Sequence, residues 1–231
     1  VSSQAANSPC QSDRFGQIHV DIRALGENTD ARQSHSSKSE EQAMSPFVQW
    51  RPAQVPRGAV LMKLQGVEKT FTLRRGDSAQ ATFPATAQFS FDPDYKHGVE
   101  LLDFYLNVTD MIVCSQRAAD FVRAHNPGAL EYLPVTLVDH RGKAVAAPHF
   151  ILHPVDHPDC IDVERSRLTW SQINPSVIDI AEHIDVDPAR VPEDRLIFRP
   201  KSHPAVHLMR RGFAESLVAE GFSGARWIDI K

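Results

Sequence analysis

The stretch LPVTLVDHRGKAVAAPHFILHPV, residues 133–155, decides how this chain folds. Two apolar runs, LPVTLV and HFILHPV, flank DHRGK, where Asp139 and Gly142 supply the polar side chain and permissive backbone that a tight reversal needs. The stretch reads as a β-hairpin. Immediately before it, MIVCS (111–115) is a short continuous apolar run that fits a buried strand. Ser115 can then cap a helix over QRAADFVRAH, whose Ala118, Phe121 and Val122 form an apolar stripe and which Asn126, Pro127 and Gly128 stop. The same order returns at the end of the chain. AVHLM (205–209) reads as a strand, RGFAESLVAE as a helix with Phe213, Leu217 and Val218 on one face, GFSG as the stop, and ARWIDI (225–230) as a second strand.

Elsewhere FVQW, AVLMKLQ and KTFTLRR read as short strands broken by Pro52, Pro56, Gly66 and Gly76. VELLDFYLNV places Leu101, Leu102, Tyr105 and Leu106 at helical spacing, and CIDVERSRLTW, SVIDIAEHI and RLIFRP add strand candidates. The predicted fold is α+β: a mostly antiparallel sheet with two or more helices packed on one side and a strand-helix-strand unit used twice. Residues 1–46 differ in composition, with serine repeated through SSQAANS and SHSSKSEEQAMS, and read as a largely flexible segment. One island, at 17–25, alternates Ile18, Val20 and Ile22 with His19, Asp21 and Arg23 and predicts a strand. The folded domain is expected over 47–231.

With 231 residues, 42% of them hydrophobic, the chain can bury a sizeable core. A formal net charge of -4 argues against nucleic acid or an anionic membrane as partner and favours a basic one. Three scattered cysteines, Cys10, Cys114 and Cys160, do not make a disulfide framework and point to a reducing compartment. The expectation is therefore the cytoplasm, or the periplasm if a leader was removed.

PHFILHPVDHPDC (148–160) is the densest group of potential metal ligands, with three histidines four residues apart. Pro148, Pro154 and Pro158 exclude a continuous helix, so the imidazoles cannot stack on one helical face. On a strand, His149 and His153 point the same way but lie roughly 13 Å apart, too far for one zinc ion. His153, His157 and Cys160 around the proline turn remain as a metal-site alternative. Cys114, between a strand and a helix, could be an activated thiol, but small-residue packing is the commoner role. Asp162 and Glu164 would share one face if DVERS were a strand, and Arg199 in FRP reads as a salt-bridge partner for a carboxylate such as Asp162. Arg74 with Arg75 and Arg210 with Arg211 are isolated basic pairs without interleaved aromatics. No nucleotide-binding or hydrolase motif occurs, and no cofactor is expected.

From about Phe89 onward the order FDPDY, LLDFY, MIVCSQRAADFV, LPVTLVDHRGK, DVERS, LIFRP and the closing helix, GFSG and ARWIDI resembles the immunity protein family eleven of bacterial polymorphic toxin systems. That resemblance implies a non-enzymatic antidote that binds and neutralises a cognate secreted antibacterial toxin. If the toxin is a basic enzyme such as a nuclease, the acidic clusters Asp92 with Asp94, Asp156 with Asp159, and Glu182, Asp185 with Asp187 are the expected contact residues. A metal-dependent hydrolase built on His153, His157 and Cys160, and a regulatory or scaffolding module, are the rival readings.

Overall fold

The computed structural model describes residues 44–230; the strand expected at 17–25 and Cys10 lie outside the described residues. The predicted hairpin forms between β5 (Leu130–Val138) and β6 (His149–Pro154), antiparallel from Leu130 opposite Pro154 to Val135 opposite His149. Asp139 closes the turn by accepting from the backbone N–H groups of Arg141 and Lys143, and Gly142 takes φ 73°, where a Cβ is costly.

Around this hairpin, β4 (Ile112–Ser115) pairs antiparallel with the other edge of β6, and β3 (Phe104–Tyr105) lies outside β4. On the opposite edge β2 (Gln88–Ser90) runs parallel to β5, giving the order β2-β5-β6-β4-β3. Helix α2 (Gln116–Ala124) joins β4 to β5, and the Ser115 hydroxyl accepts from the Ala118 N–H as predicted.

A second sheet repeats the plan with a strand from the other end of the chain. There β1 (Phe47–Trp50) lies between β10 (Leu208–Arg210) and β11 (Trp227–Asp229), with β9 (Ile197–Phe198) outside β10, in the order β11-β1-β10-β9. Helix α3 (Arg211–Ala219) joins β10 to β11. The two helices stand at a constant offset of 95 positions, Gln116 to Arg211 and Ala124 to Ala219, and bury equivalent residues: Ala118, Ala119 and Val122 in one, Phe213, Ala214 and Leu217 in the other. The strands follow suit, since Phe104 opposite Cys114 matches Ile197 opposite Met209. Each helix covers one face of its own sheet, and the two meet in a shared core with Trp50, Phe104, Leu152, Met209 and Phe222. Phe121 of α2 stacks on Phe213 of α3 at 6.3 Å between ring centroids.

The outer face of the five-stranded sheet is covered by the 59–73 segment, through Ala59, Leu61, Leu64 and Leu73. The outer face of the four-stranded sheet takes a two-stranded ribbon of β7 (Arg167–Trp170) and β8 (Ile178–His183) together with Cys160 and Ile161. The fold is thus α+β and mostly antiparallel, β2 with β5 being the parallel pair.

Several local readings are corrected. KTFTLRR is not a strand: Thr70–Arg75 form the short helix α1, closed by Gly76 in the left-handed region at φ 77°. VELLDFYLNV is not a helix, because the Asn107 side chain binds the Tyr105 and Met111 carbonyls and accepts from the Thr109 and Met111 N–H groups, holding the chain in a tight turn. AVLMKLQ is extended but makes only isolated bridges at Leu61 and Gln65. Val218 lies off the buried face of α3, 56% exposed.

Candidate functional site

The stretch 148–160 is a strand followed by a turn, and each imidazole in it has a local structural environment. His149 and His153 lie on the face of β6 that also carries Ile151, and both are buried. Tyr105 Oη accepts from the Leu102 N–H and is hydrogen-bonded to His149 Nε2 at 3.0 Å, while His153 Nε2 donates to the Asp77 carbonyl at 2.8 Å. His157, past a turn in which Asp156 adopts φ 60°, lies against Gly76, and any side chain at that glycine would collide with the imidazole. Burial lowers the pKa of all three histidines by penalising the imidazolium. Cys160 belongs to a different apolar cluster, beside Ile161 and Val186, where burial pushes its thiol up to about 12. The proposed trio of His153, His157 and Cys160 is therefore not assembled. Among the described residues no three or more His, Cys, Asp or Glu side chains are placed to hold a metal ion.

The other chemical candidates are held in similar ways. Cys114 is fully buried in the shared core, and desolvation moves its pKa upward, away from a thiolate. DVERS is a turn rather than a strand, because Asp162 accepts from the N–H groups of Glu164 and Arg165 and from the Arg165 guanidinium at 2.8 Å; these bonds hold its carboxyl below the usual range. Arg199 does not pair with Asp162. Buried to 2% exposure, its Nη1 donates to the carbonyls of Leu73 and Arg74 at the end of α1 and to that of Pro204. Arg210 and Arg211 likewise donate to backbone carbonyls at Val191, Pro192 and Ser45.

The acidic clusters sit in three separate places: the turn after β2, the connection after β6, and the end of β8 with the connection that follows it. Asp92 accepts from the Asp94 N–H in the turn after β2. Asp156 pairs with Arg195 at 2.6 Å, Asp185 with Arg165 at 3.0 Å, and Asp187 with Arg190 at 3.2 Å while capping the 3-10 turn Pro188–Arg190. Asp159 and Glu182 are exposed, and among the described residues neither has a cation within 4 Å.

Sequence reading missed the buried polar layer under the five-stranded sheet. Glu131 stands opposite His153 across the hairpin and accepts from Ser78 Oγ and from the Ala79 and Gln80 N–H groups, fixing the loop that follows α1. His207 is also buried, and desolvation with the nearby Arg199 charge drives its pKa well down. A clue was available in the period-2 reading, which puts Glu131 on the same face as Leu133, Val135 and Leu137. A carboxylate on that face requires buried partners.

No curated protein matches the chain. The profile of the immunity protein family (Imm11) matches residues 16–231, reaching further upstream than the landmarks from Phe89 and taking in the 17–25 stretch. With nearly the whole sequence covered, the chain belongs to the immunity protein family Imm11.

Proposed function

We propose that this chain is an antidote that neutralises a cognate antibacterial toxin by stoichiometric protein–protein binding, without catalysis of its own, in the producing cell's cytoplasm. The observation that carries this reading is the family match over residues 16–231. The side chains proposed for chemistry support it, since Cys114, His153, Asp162 and Arg199 are engaged in packing or in bonds that hold the fold. The outward surface of the β7–β8 ribbon also supports it, with Trp170, Ile173 and Ile180 exposed, Ile173 to 97%. Apolar groups on a projecting ribbon suit a contact surface.

A basic toxin, such as a nuclease, is the partner class that fits the chain's charge of -4. Of the acidic residues, Asp92, Asp94, Asp159 and Glu182 are the steering candidates, because Asp156, Asp185 and Asp187 already face arginines. The test is co-expression with the toxin encoded beside this chain's gene, together with the mass of the purified complex. Restored growth and a defined stoichiometric complex are expected. Failure of the pair to associate, with growth still arrested, refutes the antidote. Unchanged affinity and salt dependence after neutralising Asp92 and Asp94, or Asp159 and Glu182, removes those residues from the contact.

A further inference from the structure

A groove of about 660 Å³ lies between the β7–β8 ribbon and the four-stranded sheet, on the β11 side. Its walls are Ala181 to Ile184 from β8 and its exit and Trp227 to Ile230 from β11 and its exit, with Gln49 of β1 and Arg211, which is paired with Asp229, completing the lining. A groove lying over a sheet face meets alternate residues; one running along an edge meets successive ones. The successive residues bring the groove along the rims of both strands, and Gln49, opposite Ile228, shows that it also reaches over the adjoining face of the four-stranded sheet.

The direction of the free backbone groups follows from the ladder. The Trp50 N–H donates to His207 on the β10 side and the Arg51 N–H donates to Arg226 on the β11 side, so antiparallel alternation turns the backbone of Ile228 toward β1. The N–H and C=O groups of Trp227 and Asp229 then point outward, and among the described residues no strand pairs with that edge. The equivalent strand β5 does carry an outer neighbour, β2, beside Thr136–Val138. β8 offers a poorer template, because its register with β7 shifts twice, once across Glu182 and once across Asp179. Those irregularities fall at two exposed carboxylates, of which Glu182 lines the groove, and among the described residues no cation lies within 4 Å of either.

We propose that the toxin donates an extended strand to the outer edge of β11, lying in this groove with a basic side chain against Glu182. The added strand forms main-chain hydrogen bonds with Trp227 and Asp229, while Ile228 and Ile230 supply apolar contact on one face. This rests on the antidote reading. It adds the surface, the mode of pairing and the charge of the occupant.

The test uses the full chain and the toxin polypeptide encoded next to its gene, with binding measured separately from amide exchange. On binding, exchange at Trp227 and Asp229 should slow by about tenfold or more. Asp229→Pro removes an outward N–H but leaves the β1 ladder intact, and should weaken binding by about tenfold or more. Asp229→Ala keeps the N–H and loses only the exposed ion pair to Arg211, so its effect should stay below about threefold. Glu182→Lys should weaken binding and flatten its salt dependence. If the toxin binds yet these two amides exchange as in the free chain, or if the proline and alanine variants lose affinity equally, the proposal falls and the antidote reading stands. Slow exchange at both amides in the free chain also overturns it, because the edge is then already covered. Absence of any complex removes the antidote reading and this proposal together.

Discussion

The two strand-helix-strand units, β4-α2-β5 and β10-α3-β11, share a plan and differ in how the returning strand is finished. In both, the helix starts directly after the first strand and the returning strand lies across a central antiparallel partner, β6 in one and β1 in the other. But β5 is nine residues long, takes β2 on its outer edge and carries the buried Glu131, whereas β11 is three residues long and borders an open groove. The shared features are the buried helix positions and the strand pairings. The differences are at the periphery, where additions disturb the common core least.

The comparison can be broken or sharpened in order of effect. Acid should act most strongly, and on both units, through His149, His153 and His157 near the first and His203 and His207 near the second. All five have folded-state pKa values lowered by desolvation, so the unfolded chain binds more protons below about 6.5. Their contribution is complete above that value and is lost as pH falls toward the folded values, at up to about 1.4 kcal/mol per pH unit for each. Denaturant titrations at pH 7.5 and 5.5 should show the drop; equal midpoints would contradict neutral burial.

Truncation of equivalent helix residues comes next. Leu217→Ala should cost about 2–5 kcal/mol by chemical denaturation, and Val122→Ala less, since fewer atoms leave the same shared core. A cost near zero at Leu217 would mean that α3 is not seated as described. Glu131→Ala leaves a hydroxyl and two backbone N–H groups unpaired and should cost about 2–3 kcal/mol, while its equivalent in the second unit, exposed Arg226, should change stability by less than about 0.5 kcal/mol on the same substitution. Similar costs at both positions would erase the contrast between the returning strands. Ser115→Ala, which removes the cap on α2, should cost about 1 kcal/mol in the same assay.

Much of this architecture was legible where local pattern and tertiary outcome agree. The hairpin announced itself through strand alternation around Asp139 and Gly142, α2 through Ser115 and its apolar stripe, and the repeated unit through the order of elements. KTFTLRR misled because its six-residue helix depends on Gly76 and on Arg199, a side chain more than a hundred residues away. VELLDFYLNV misled because Asn107 competes with the helix for backbone groups. The candidate site was legible as a family and much less so as a surface. Asp156 meets Arg195 and Asp185 meets Arg165 only once the chain is folded, and nothing in their spacing announces those pairs. The groove beside β11 is likewise invisible in sequence, being bounded by residues near 182 and 228.

The placement of β1 has a consequence for synthesis. Phe47 pairs opposite Arg210 and Trp50 opposite Trp227, so these partners are translated more than 160 residues later. The first unit can close while translation continues, but the second must wait, holding apolar Phe47, Val48 and Trp50 without their sheet. A product terminated before residue 208 would thus carry a sticky, unpaired strand, and in the nascent chain that strand stays exposed until β10 and β11 have been made.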